Sequence, residues 1–132
     1  MNDQPAGERL FTPADNNGQN IFVFGSNLRG VHGAGAAKEA RKFWGAAYGM
    51  GIGRTGMAYA IPTKDFRIQT LPISNIRVHV SHFLNYTDAH PELRFLVTKI
   101  GCGLAGYREA EISPLFANAP ANCVLPNGWR QN

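Results

Sequence analysis

Ile21-Phe22-Val23-Phe24 runs without a break into Gly25-Ser26-Asn27-Leu28-Arg29-Gly30-Val31-His32-Gly33-Ala34-Gly35. A strand that opens through glycines into a helix leaves backbone N–H groups unpaired and aims the positive end of the helix dipole at the space beyond, a setting for an anion and for phosphate above all. The pattern recurs where Phe95-Leu96-Val97-Thr98-Lys99-Ile100 runs into Gly101-Cys102-Gly103-Leu104-Ala105-Gly106-Tyr107. Two such loops at one sheet edge would hold two phosphates or both sides of a diphosphate. Close packing of helix on strand, which also asks for small residues, is the competing reading. Neither loop carries the dinucleotide fingerprint or the P-loop pattern.

Within the first loop, Asn27 stands just past the strand, where its amide can donate to and accept from a ribose hydroxyl or simply shape a turn. His32 can bind phosphate or act as a general acid or base near neutral pH, or it can be an ordinary loop histidine. Tyr59-Ala60-Ile61 ends at Pro62-Thr63-Lys64-Asp65, which puts Lys64 and Asp65 at the same edge, one to meet a ligand and one to orient it, or both as a surface ion pair. Cys102, between glycines, has no histidine with a pairing role after it, so packing suits it better than a thiolate nucleophile. Tyr107 and Trp129 can stack on a base or cover the core. His79, His82 and His90 belong to a helix and its end.

Four apolar runs must position these groups: Ile21–Phe24, Tyr59–Ile61, Phe95–Ile100 and Asn122–Leu125. Continuous apolar runs suit strands buried on both faces of a parallel sheet. Between them, Ala36, Ala37, Ala40, Phe43 and Trp44 fall on one helical face that stops at Gly45. Ile76, Val80, Phe83 and Leu84 mark a second helix, which Ser74 or Asn75 can cap and which ends before His90-Pro91. Glu109 to Ala117 gives a short helix bent at Pro114. The glycines of 46–56 indicate an extended connection, and 66–73 an edge strand or a strap across the site. The alternation predicts a three-layer α/β/α sandwich with a mostly parallel central sheet. Strand ends along one edge are where such folds bind ligands.

A chain of 132 residues with 44% hydrophobic residues suits one domain, taken as residues 19–132, preceded by a polar arm or leading strand at 1–18. No apolar stretch nears the roughly 20 residues of a membrane span, and the first residues lack a signal-peptide pattern. A cytoplasmic protein is the expectation. Two cysteines without ligand spacing predict reduced thiols and no metal. The net charge of +4 favours an anionic partner, but the basic residues are scattered, with Arg29, Lys38, Arg41, Lys42 and Arg54 the one loose concentration, so a nucleic-acid surface is not expected.

Val23-Phe24-Gly25-Ser26-Asn27-Leu28, His32-Gly33-Ala34-Gly35-Ala36-Ala37, Tyr59-Ala60-Ile61-Pro62-Thr63-Lys64 and 98–107, with Leu125-Pro126 and Trp129, resemble a small macro-domain-like family of bacteria and phages whose function is uncharacterised. Macro domains bind ADP-ribose with a strand ending in Asn, a Gly-rich loop before a helix, and a Gly-x-Gly-x-x-Gly-aromatic loop. The resemblance therefore implies ligand contacts from Gly25, Ser26, Asn27, Gly33, Ala34, Gly35, Thr63, Lys64, Asp65, Gly101, Cys102, Gly103, Leu104, Ala105, Gly106 and Tyr107, with Asn27 and His32 as candidate catalytic groups. Two positions depart from the macro pattern: Asn20 falls where macro domains carry the acid for the adenine amino group, and the first loop has fewer glycines and holds His32.

The expected function is binding of an ADP-ribose-type nucleotide, with metal-independent hydrolysis of an ADP-ribose derivative as the activity it would serve. No cofactor is expected. The alternative is a non-catalytic sponge for a cyclic or NAD-derived nucleotide signal, as in phage anti-defence proteins. Its support is the shortage of a carboxylate–histidine pair, Asp65 being the one acid at the expected edge. An RNA-binding module is a third, weaker reading.

Overall fold

The computed structural model describes residues 11–130, so residues 1–10 of the expected arm lie outside the described residues. Strands β1 (Asn20–Asn27), β2 (Gly53–Thr55), β3 (Ala58–Lys64), β4 (Arg94–Val97) and β5 (Cys123–Val124) form one sheet in the order β2-β3-β1-β4-β5. Helices α1 (Gly35–Phe43), α2 (Ile73–Ala89) and α3 (Glu109–Ile112) connect them. β3, β1, β4 and β5 are parallel, and β2 runs antiparallel to β3. The chain is thus a mixed α/β protein with a five-stranded, mostly parallel sheet.

The unbroken apolar runs have the expected cause, since the pleat sends alternate side chains to opposite faces and both faces are covered. On one face Ile21, Val23, Ile61, Phe95 and Val97 pack with Ile76, Val80 and Phe83 of α2 and with Ile112 of α3. On the other, Phe22, Phe24, Ala60 and Leu96 meet Ala40 of α1 and Trp44 just beyond it. The Phe22 and Trp44 rings stack with centroids 5.1 Å apart. Gly45, at φ +77°, takes the left-handed conformation that ends α1. Phe11 joins this second cluster, and Asn16 Nδ2 donates to Phe43 O at 2.9 Å, so the described part of the arm is tied to the sheet.

Several boundaries differ from those read in the sequence. The connection at 46–56 is not wholly irregular, because Gly53–Thr55 pairs back on β3 as an edge strand. Neither Ser74 nor Asn75 caps α2, which starts at Ile73 behind Pro72 with no side-chain cap. Of segment 66–73, residues 66–72 form a strap with a single bridge, Lys64 to Thr70, and Ile73 already starts α2. β4 stops at Val97, although the Thr98 N–H and hydroxyl both donate to Val23 O and carry the line of the strand one residue further. After α3 the chain tightens into a 3-10 turn at Ser113–Phe116, which accommodates Pro114 in its first turn. No helix among the described residues is long and apolar enough to cross a membrane.

Candidate functional site

β1 delivers Gly25, Ser26 and Asn27 to the carboxyl edge of the sheet. The Asn27 amide is used by its own loop: Nδ2 donates to Val31 O at 2.9 Å, and Oδ1 accepts from Val31 N at 3.0 Å. Asn27 therefore lines the cleft as the brace of the first loop rather than as a free hydrogen-bonding group. The loop is backed by residues 47–51. Ser26 Oγ donates to Gly51 O at 2.5 Å, and a Cβ on Gly51 would run into Asn27 O. Gly30, at φ +76°, meets the Gly49 backbone in the same way.

His32 is placed elsewhere than the catalytic reading requires. Its ring is fully buried behind the loop, edge-on to Phe24 at 5.2 Å, with Nε2 donating to Ala47 O at 3.1 Å. It does not line the cleft. The apolar environment formed by Phe24 accounts for the inward turn, and a loop sequence carries no sign of it.

β3 brings Thr63 and Lys64 to the edge beside β1, with Thr63 Oγ1 donating to Ser26 O at 3.3 Å. Asp65 stands off the cleft. Its Oδ1 accepts from the N–H groups of Arg67 and Gln69 at 2.8 and 3.0 Å, which makes it the organiser of the strap instead of a ligand group or the ion-pair partner of Lys64. The strap presents Ile68 to the cleft at φ +62°, a left-handed conformation rare for a β-branched residue. It is fastened to the second glycine loop by Thr70 Oγ1 donating to Ala105 O at 2.9 Å and Tyr107 OH donating to Leu71 O at 2.6 Å.

The second loop follows β4. Gly101 needs glycine on two counts, since φ is +75° and a Cβ would sit 3.0 Å from Ile112 Cδ1, whereas Gly106 needs it only for its φ of +89°. Around Gly103 a Cβ would meet open space. Cys102, Gly103, Leu104, Ala105 and Tyr107 line the cleft, and Gly106 does not. Burial pushes the Cys102 thiol up to about 11, with the Glu109 carboxylate adding to the shift, so it is a poor thiolate. Tyr107 braces the strap by its hydroxyl, and Trp129 lies in the core with its indole N–H donating to Glu109 Oε1 at 2.8 Å. Lys99 Nζ lies 3.1 Å from Glu109 Oε2. The Trp129 hydrogen bond, helped by Lys99, holds the Glu109 carboxyl below its usual range despite partial burial. Lys99, Glu109 and Trp129 come from separate segments, so no local spacing in the sequence marks this group.

These walls enclose one cleft of about 1060 Å³ at the carboxyl ends of β3, β1 and β4, at the top of the usual range for small-molecule sites. One wall is Val31 with Gly33, Ala34, Gly35, Ala36 and Ala37; the facing wall is the second loop with Ile68. α1 opens into the cleft at Gly35 with no side-chain cap, so its first N–H groups are free to receive an anion. Lys64, Lys99 and Arg108 add positive charge, against the single carboxylate of Glu109 among the lining residues. Among the described residues no three His, Cys, Asp or Glu side chains converge as a metal-ligand group.

No protein-family model, curated protein or solved structure matches the chain.

Proposed function

We propose that this protein has a macro-like three-layer architecture and binds a nucleotide of the ADP-ribose type in the cleft between its two glycine loops. The observation that carries the reading is the uncapped start of α1 facing the second glycine loop across a cleft bordered by Lys64, Lys99 and Arg108. Free N–H groups, a helix dipole and cationic side chains are complementary to a diphosphate. The helices on both sheet faces support the layered architecture.

Binding without turnover is favoured over hydrolysis by a specific feature of the site. His32 is buried behind the loop, the Asn27 amide is bound to Val31, and the Cys102 thiol is held near 11, so the candidate groups are not poised to activate water. Calorimetric titration with ADP-ribose tests the binding. Saturable heat is expected, and none at millimolar ligand would overturn the reading. Heating the complex and chromatographing the released nucleotide separates the two forms: intact ADP-ribose is expected, and a cleaved product would make the protein a hydrolase.

A further inference from the structure

Glu109 is an odd lining for an anion site. A carboxylate facing phosphate oxygens is repelled, and more strongly in a recess than in water. It is nonetheless fixed in place by Trp129 Nε1 at 2.8 Å on Oε1 and Lys99 Nζ at 3.1 Å on Oε2. Each carboxylate oxygen retains a second lone pair, and the Lys99 ammonium retains two of its three donors. The exposed parts of both side chains line the cleft, with side-chain exposures of 24% for Lys99 and 42% for Glu109. Together they offer the remaining Lys99 donors for a phosphate oxygen beside two acceptor positions for hydroxyls. The group that matches is a ribose with free vicinal hydroxyls next to a phosphate, the same carboxylate-to-diol logic by which dinucleotide folds hold a ribose.

We infer that Glu109 is a specificity-determining residue that takes the vicinal hydroxyls of a terminal ribose, with Lys99 on the adjoining phosphate, so that the cleft selects a ribose-terminated diphosphate over a phosphate-terminated one. The inference rests on the proposed nucleotide binding. It also gives the ligand a direction: the ribose end lies at the β4 side with Glu109, and the base lies toward the strap that follows β3, where Ile68 offers apolar surface.

The test compares ADP-ribose with ATP, which carries a third phosphate where ADP-ribose carries its terminal ribose. The unaltered protein should bind ADP-ribose at least 10-fold more tightly than ATP. Glu109→Gln, which keeps an oxygen for Trp129 and removes the charge, should weaken ADP-ribose on the order of 10- to 100-fold and leave ATP unchanged or tighter. Lys99→Met should weaken both ligands alike. An ADP-ribose analogue lacking a hydroxyl on the terminal ribose, tested on the unaltered protein, should lose a similar factor and requires no variant to fold. If ADP-ribose does not bind at all, the proposed function falls and this inference with it. If ADP-ribose binds but Glu109→Gln shifts both nucleotides equally or not at all, or the deoxy analogue binds like ADP-ribose itself, the inference alone is overturned.

Discussion

Asn27 and Gly103 line the same cleft and carry different physical burdens. Replacing Asn27 by Ala removes the acceptor for the part-buried Val31 N–H and the donor to Val31 O, leaving both backbone groups to find water or go unpaired. Asn27→Ala should therefore cost about 1–3 kcal/mol of folding stability, read as a lower urea midpoint. Nucleotide affinity should fall with it as the first loop loosens. Gly103→Val should do the reverse. A side chain there enters open space, so the melting temperature should stay within a degree or two of the parent while affinity drops at least 10-fold from lost room for the ligand. A Gly103→Val protein that melts normally and binds ADP-ribose like the parent would remove the second loop from the site. The sequence shows where such residues stand but not which way they face. Asn27 and His32 look alike as polar residues in a glycine loop, yet one braces the cleft and the other fills a core position beside Phe24.

At the scale of elements, the strap between β3 and α2 is the one segment among the described residues that holds a non-glycine residue at positive φ. Ile68 is kept there by the Asp65 carboxylate below it and by the Thr70 bond to Ala105, which fixes both ends of the turn. A left-handed β-branched residue costs roughly 1–2 kcal/mol, and Asn tolerates that conformation far better. Ile68→Asn should raise the urea midpoint by up to about 1 kcal/mol of stability, and an unchanged or lower midpoint would show that the strap stores no strain. Legibility in the sequence follows element length and burial. β1, α1 and the core of α2 were readable because their apolar residues recur with the right period over whole elements. β2 was not, since Gly53-Arg54-Thr55 holds no apolar residue and pairs only because the chain turns back on β3 at Gly56. The Lys99–Glu109–Trp129 contact was equally hidden, being a product of tertiary placement with no local spacing to announce it.

For the molecule as a whole, three groups on the α2 and α3 side of the sheet, Cys123 and Tyr59 in the core and Cys102 packed against it from the cleft, together set an alkaline limit. Burial pushes both Cys102 and Cys123 from 9.0 up to about 11, and burial with the neighbouring Tyr86 raises Tyr59 above 10.0. In the unfolded chain the thiols lose their protons near pH 9, while in the folded protein they keep them until about pH 11. Between those values the unfolded state binds fewer protons than the native one, so stability is complete below about pH 9 and falls as pH rises through the folded values. Cys123, with no exposed surface, should contribute a slope approaching one proton, at most about 1.4 kcal/mol per pH unit. Cys102 is only partly buried, so solvent should reduce its share. Urea midpoints measured at half-unit steps from pH 7.5 to 11 should be level at first and then decline. A Cys123→Ala variant should start lower, because it leaves a small cavity, and decline less steeply. A parent curve that stays flat to pH 11 would mean that the thiols reach solvent readily, and that the packing of β5 against α2 is looser than the burial of Cys123 implies.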